Sequence, residues 1–263
     1  TQVPLAPLAG AALLATNLAV LRSYRDGAVE LYGATRLSLA RRTLAHLLSV
    51  LPLVALGGIL AAADLGWLAG MPGSVGIPHL AEAATGPALI ALGGCLGVLL
   101  GRLARSVALA PLVLVTLAFG SLTLAELQTA GGKDQPPSTW LATLREAPPF
   151  DPPPAALLGR PATWHLVYLL GITLAVAAVA LWRSQAQAGA RRRTQAAAAI
   201  VLVAALAATT AAAVAQTRPT SSTLAAQRQA VVANPSTGLV CQRRGPAVYC
   251  VFPGFEPQIA WWE

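Results

Sequence analysis

The sequence predicts an all-α polytopic membrane protein with about six transmembrane helices and a small extracytoplasmic C-terminal tail. Hydrophobic residues make up 56% of the chain and charged residues 11%, whereas about a quarter of a soluble domain is charged. Six windows of mostly apolar residues reach the length of about 20 residues that a spanning helix needs. The net charge of +8 comes from short arginine clusters beside these windows. No aromatic-rich basic domain accompanies it, so nucleic-acid binding is not expected.

The six windows divide the chain into a membrane domain, residues 1–215, and a polar tail, residues 216–263. The windows are residues 3–21, 44–63, 81–101, 107–127, 163–182 and 195–215. Pro52 and Pro87 lie within or near the ends of spans, where neighbouring helices and water can satisfy the carbonyls that proline leaves free.

Arginine residues concentrate in the first, third and fifth gaps between the windows. They are Arg22, Arg25, Arg36, Arg41, Arg42, Arg102, Arg105, Arg183, Arg191, Arg192 and Arg193. By the positive-inside rule these gaps are cytoplasmic, and both chain ends and the tail lie outside a bacterial plasma membrane. The basic segment 22–43 therefore faces the cytoplasm. The Pro-rich loop 128–162 lies outside and is expected to carry a short helix from Ser138 to Glu146, which lies on the membrane surface or on neighbouring spans.

Two cysteines in the tail predict a disulfide hairpin. Cys241 and Cys250 lie in two short apolar runs on either side of residues 243–246, Arg-Arg-Gly-Pro. Outside the cytoplasm such a pair would be oxidised. Metal binding is the alternative, but it needs four ligands, and the sequence around the pair offers no further Cys or His. Cys95 lies alone in a span, where a small packing residue is the simplest interpretation.

Within the spans, small residues and one carboxylate are the notable features. Gly93, Gly97 and Gly101 recur every fourth residue, a pattern that lets helices approach closely. The same stripe could alternatively line a substrate path. Glu126 lies inside the fourth window near its outer end, where it either takes an interfacial position or serves in transport or gating.

No catalytic or cofactor-binding set is visible. His46, His79 and His165 are scattered, and the run from Gly131 to Lys133 lacks the glycine spacing and following Ser or Thr of a phosphate loop. We therefore expect no metal and no nucleotide site in this chain.

The basic segment resembles the cytoplasmic segment after the second span of ABC-2-type permeases, the membrane subunits of ABC transporters. The matching residues are Arg25-Asp26-Gly27, Glu30-Leu31-Tyr32, Leu37-Ser38 and Arg41 to Ala45. Residues 96–114 are similar to the tight cytoplasmic turn between the fourth and fifth spans of actinobacterial members. Residues 240–255 resemble the extracytoplasmic Cys-loop of some of them. Because the match begins at the family's second span, either an earlier span precedes this chain or the match is shifted.

The resemblance implies a permease subunit that moves a substrate across the membrane and is not itself an enzyme. ATP and Mg²⁺ would bind a separate cassette subunit, docked on a coupling element that includes Arg25, Glu30, Leu31 and Tyr32. A permease homodimer or heterodimer, surrounded by membrane lipids, would frame the substrate path. The alternative is a membrane scaffold or sensor that transports nothing and whose Cys-loop tail binds a partner. A membrane enzyme ranks third.

Overall fold

The computed structural model describes residues 2–27, 37–70, 80–130, 141–142, 161–187, 192–218, 240–245 and 247–251, and residues 222, 223, 226, 230 and 233. At some of these positions, Glu126 and Cys250 among them, the backbone alone is described. The described residues are predominantly helical. The helices are α1 (Gln2–Arg25), α2 (Leu39–Leu48), α3 (Leu51–Ala69), α4 (Leu80–Leu103), α5 (Leu109–Ala130), α6 (Ala162–Gln187) and α7 (Arg192–Gln216).

The all-α polytopic membrane fold is confirmed. Within the described ranges, five helical stretches are long and apolar enough to cross a membrane, and they coincide with five of the six predicted windows. The remaining window, residues 107–127, corresponds to α5, which has 22 residues and whose described apolar part is Leu109–Ser121.

The second span differs from its predicted window because a proline breaks the helix. Residues 44–63 were predicted as one helix, but α2 ends at Leu48 and α3 begins at Leu51, with Pro52 in the first turn of α3. Proline lacks the N–H that would bond to the carbonyl four residues earlier, and its ring crowds that carbonyl. The 19 residues of α3 extend over about 28 Å at 1.5 Å each, close to the hydrocarbon thickness of about 30 Å.

Helix α4 lies at the centre of the bundle and packs against α1, α3 and α6. Its Gly93, Gly97 and Gly101 meet Ala9, Leu13 and Val20 of α1 in that order, so α1 and α4 run in the same direction. Leu89 and Val98 of α4 pack near Leu169 and Ala180 of α6, which runs parallel as well.

Helices α3, α5 and α7 pack on the outside of the parallel helices α1, α4 and α6. Gly57 of α3 meets Ile90 of α4, Gly171 of α6 meets Thr209 of α7, and Gly10 of α1 meets Leu114 of α5. Helix α7 contacts mainly α6, and apart from Thr210 its exposed residues among those described are apolar. Large apolar side chains that face outwards are what a lipid environment requires.

The tail contains the predicted hairpin. Strands β1 (Val240–Arg244) and β2 (Ala247–Val251) pair antiparallel, with Arg244 opposite Ala247 and Cys241 opposite Cys250. Only Gly245 and Pro246 lie between the strands, so the turn is tighter than the four residues predicted. Gly245 has a φ of +60°, which suits the first central position of a two-residue hairpin turn.

Candidate functional site

Arginines from separate gaps gather at one end of the bundle, which we call the basic end. Because α1, α4 and α6 are parallel, their C-terminal ends lie at the same end of the bundle. Arg22 and Arg25 are in the last turn of α1 and Arg102 is in the last turn of α4, while Arg183 lies just before the last turn of α6. The turn after α4 is tied to α1 there, since the Arg105 guanidinium lies 4.7 Å from the centre of the Tyr24 ring. Such a cation–π contact contributes about 0.5–1 kcal/mol at an exposed site.

The amphipathic helix α2 covers part of the basic end. Ser38 caps its N-terminus by accepting a hydrogen bond from the Arg41 backbone N–H at 3.3 Å. Thr43 is fully buried, and its hydroxyl donates to the Leu39 carbonyl at 3.0 Å. The helix packs against α6, α4 and α1, while Leu44 and Leu48 stay exposed on its other side. An exposed apolar pair beside basic residues is a surface suited to a partner.

Of the four residues predicted to couple to an ATPase, the structure describes one. Arg25 ends α1 and is exposed. Glu30, Leu31 and Tyr32 lie outside the described residues. The amphipathic helix that the structure does describe, α2, begins at Leu39 and lies closer to the second span than those residues do.

Arg102 in the last turn of α4 is half-buried, and its Nε atom is buried without a hydrogen-bond partner among the described residues. It lies within electrostatic range of Tyr24, Arg42 and His46. Sequence reasoning treated Arg102 only as a marker of topology and His46 as an isolated histidine.

A polar crossing at membrane depth joins α1 and α4. The Thr16 hydroxyl donates to the Gly94 carbonyl at 2.9 Å, and the Asn17 amide donates to the Gly97 carbonyl at 3.4 Å. Both side chains are buried, and Asn17 Oδ1 has no partner among the described residues. Sequence reasoning missed this pair, although two adjacent polar residues within an apolar helix were a visible signal.

The three glycines of α4 lie on this same crossing. A Cβ built on Gly93 would overlap the Ala9 carbonyl oxygen, and one on Gly97 would overlap both the Leu13 carbonyl oxygen and the Thr16 hydroxyl. At Gly101 it would lie 2.8 Å from a Val20 methyl. This face of α4 is filled by a neighbouring helix, which leaves no room there for a substrate.

At the opposite end, polar side chains tie α6 to α7 and to residue 141. His165 Nδ1 lies 3.2 Å from Gln216 Oε1, and both residues are buried. The Tyr168 hydroxyl donates to the Leu141 carbonyl at 3.0 Å, and its ring stacks on that of His165. Of the predicted surface helix, residues 138–146, only Leu141 and Ala142 are described, and Ala142 is buried.

The other predicted site residues are placed only in part. The backbone of Glu126 continues α5, and nothing of its carboxylate is described. The register of the hairpin puts Cys241 opposite Cys250. Cys95 is a free, buried thiol in α4.

Chemically, the described residues favour packing and partner binding. Within the described ranges no group of three or more His, Cys, Asp or Glu side chains could hold a metal ion. What they do present is a basic end with an amphipathic helix, a tightly packed glycine crossing, and a tethered opposite end. A scan against protein-family models, a search of curated proteins and a search of solved structures each find no match to this chain.

Proposed function

We propose that this chain is the membrane-spanning permease subunit of an ABC transporter. One observation carries the proposal: the amphipathic helix α2 lies at the basic end and packs against α6, α4 and α1. An ATP-driven transporter without its own nucleotide site needs a rigid element through which a separate ATPase can act on the spans. Helix α2 meets that requirement, and the resemblance of the residues before it points to the same role.

The contacts of α2 support mechanical coupling to the bundle. Buried Thr43 anchors α2. Val50 links α2 to α3, because its N–H donates to the Leu47 carbonyl and its own carbonyl accepts from the N–H groups of Leu53 and Val54. Displacement of α2 would therefore move α3 and, through Gly57 and Ile90, the central helix α4. Packed helices transmit such shifts because close-packed interiors do not compress.

The partner in this proposal is a cassette subunit that binds ATP and Mg²⁺ and docks on α2 and on the segment with Arg25, Glu30, Leu31 and Tyr32. A second permease copy would complete the substrate path. The basic end faces the cytoplasm of a bacterial cell, and the hairpin lies outside, where Cys241 and Cys250 form a disulfide. The hairpin register supports this bond: the pair flanking a two-residue turn is hydrogen-bonded, so alternation makes the cysteine pair non-hydrogen-bonded. Cα atoms about 4.5 Å apart in such pairs fall within the range that a disulfide spans.

The test is co-purification of an ATP-binding cassette protein with the tagged chain from its own cells in mild detergent. We expect Leu44→Ala combined with Leu48→Ala to lose most of the co-purifying vanadate-sensitive ATPase. The matched control is Leu56→Ala with Leu60→Ala on α3. Both pairs are four residues apart, and their exposures are alike: 44% and 53% on α2, 44% and 43% on α3.

The combined Glu30→Ala and Tyr32→Ala variant extends the test to the segment before α2. Loss of ATPase from both double variants, with the control intact, supports the coupling role. Equal co-purification in all three variants contradicts it. The scaffold or sensor alternative, favoured by the folded hairpin in the tail, predicts no co-purifying ATPase and a partner lost when residues 240–251 are deleted.

A further inference from the structure

Helix α6 carries an exposed tryptophan near each of its ends, Trp164 and Trp182. They are about 18 residues apart, which is about five helical turns, so both rings lie on one face of the helix. At 1.5 Å per residue their separation along the axis is about 27 Å, close to the hydrocarbon thickness of about 30 Å. The large apolar residues exposed between them are Leu170 and Leu174. Tryptophan prefers the boundary between hydrocarbon and headgroups, where its ring stays in an apolar environment and its N–H reaches water.

The charged residues at the two ends of α4 lie at the same heights along the bundle as the two tryptophans. Leu89 of α4 packs near Leu169 of α6, and the two helices are parallel. Glu82 and Arg102 are therefore each within about two residues of the height of a tryptophan. The residues of α4 between Glu82 and Arg102 are uncharged and extend over about 30 Å. Two helices thus give the same thickness for the apolar layer.

Helix α3 marks the height opposite the basic end in the same way. Its Val50 side and its Gly57 meet Gly94 and Ile90 of α4, so α3 runs antiparallel to α4. The one charged residue of α3, Asp64, follows Gly57 by about two turns. It therefore lies beside the first turn of α4, and it is exposed. A carboxylate is tolerated at the edge of the hydrocarbon and is costly within it.

We infer that Trp164 and Trp182 anchor the helix bundle in a phospholipid bilayer whose hydrocarbon layer is about 27–30 Å thick. The two rings bind at the two headgroup boundaries, and Leu170 and Leu174 contact the acyl chains between them. The exposed face of α6 is therefore a lipid surface and not a contact with a second copy of the chain. This inference does not require the chain to be a transporter.

The experiment measures the depth of each ring from the quenching of its fluorescence by brominated phosphatidylcholine in vesicles that contain the full chain. One variant keeps Trp164 and another keeps Trp182, and the rest of the six tryptophans are changed to phenylalanine. The matched control has all of them changed and adds Leu174→Trp, midway along the same helix. The exposures are alike: 48% and 44% at the tryptophans and 54% at Leu174.

We expect Trp164 and Trp182 to be quenched most by lipid brominated near the headgroup, and the control to be quenched most by lipid brominated near the bilayer centre. A depth profile of either native ring that equals that of the control would overturn the inference. Weak quenching of both native rings by every lipid would overturn the assignment to a lipid surface, since protein would then cover this face.

If the tryptophan variants do not fold, the unchanged chain supplies a second test in phosphatidylcholine bilayers thinner than, close to and thicker than about 30 Å. Its thermal unfolding midpoint should be highest in the intermediate bilayer and a few degrees lower in the other two, because each ångström of mismatch has a cost. Equal midpoints in the three bilayers would overturn the fit to one thickness.

Discussion

At the scale of single residues, the close crossing of α1 and α4 depends on the absence of side chains at the glycines of α4. The Cβ positions of Gly93 and Gly97 are taken by backbone oxygens of α1, and backbone cannot yield as a flexible side chain can. A side chain at either position must push the helices apart. Close steric fit therefore contributes most to the stability of this crossing, and the hydrogen bonds from Thr16 and Asn17 contribute the rest.

We predict that Gly97→Ala destabilises the protein by about 1–3 kcal/mol, the usual cost of overpacking. Gly58→Ala on α3 is the control, because no atom of the described residues lies within 4 Å of its Cβ position. There alanine should be neutral or gain up to about 1 kcal/mol from its better helix propensity. The measurement is unfolding in mixed detergent micelles. Equal stability of the two variants would contradict the steric account.

The Thr16 hydroxyl should contribute less to the stability of the protein than the close packing at Gly97. It has one proton and three carbonyls within reach, Ala12 at 2.8 Å, Leu13 at 3.3 Å and Gly94 at 2.9 Å, so the bond across the helices is shared. We predict that Thr16→Val costs about 0.6 kcal/mol, the average of such bonds in membrane proteins. Thr116→Val is the control, since among the described residues its hydroxyl bonds to the Leu112 carbonyl of its own helix and to no other helix. A cost of Thr16→Val as large as that of Gly97→Ala would contradict this ranking.

The sequence predicted the glycine stripe but could not name its partner. Spacing shows that Gly93, Gly97 and Gly101 share one face of a helix, and nothing in spacing points to Ala9 or Leu13, which are about 84 residues away. The contact between Arg105 and the Tyr24 ring could not be predicted for the same reason, because the two residues lie far apart in the sequence.

At the scale of elements, α2 is the part whose independence from the spans matters most. Its ten residues are too few for a helix to persist in water on its own, so packing on α6, α4 and α1 and the Ser38 cap must hold it. Apolar composition alone merged α2 into the second span, and the break appears only when Pro52 is given its mechanical consequence.

We predict that Ser38→Ala destabilises α2 locally by about 1 kcal/mol, the usual cost of losing an N-cap. Amide hydrogen exchange should speed up about fivefold in α2 and remain unchanged in α6. Ser106→Ala is the control, because Ser106 is exposed in the turn between α4 and α5. Unchanged exchange in α2 would show that packing alone holds it.

At the scale of the whole molecule, the arginine distribution makes a prediction about orientation. The parallel α1, α4 and α6 bring the arginine-rich gaps to one end, which the sequence anticipated through the positive-inside rule. Five of the six predicted windows correspond to helices that are long and apolar enough to cross a membrane, and this much followed from composition. The parallel trio around α4 did not, because hydropathy carries no information on which helix packs against which.

We expect Ser106→Cys to be cytoplasmic and Thr223→Cys to be extracytoplasmic, each in a chain with Cys95, Cys241 and Cys250 changed to serine. Both positions are exposed. In intact cells a membrane-impermeant maleimide should label the Thr223 variant only, and after permeabilisation both. Labelling of the Ser106 variant alone in intact cells would reverse the topology.

The crossing of α1 and α4 also has a consequence for biosynthesis. Thr16 and the Gly94 carbonyl that it bonds to are 78 residues apart, so a ribosome adding about 5–20 residues per second makes the second about 4–16 s after the first. During that interval α1 reaches the bilayer with Thr16 and Asn17 lacking their partners on α4. Thr16 can bond to the Ala12 carbonyl of its own helix meanwhile, so Asn17 is the residue that waits for the arrival of α4.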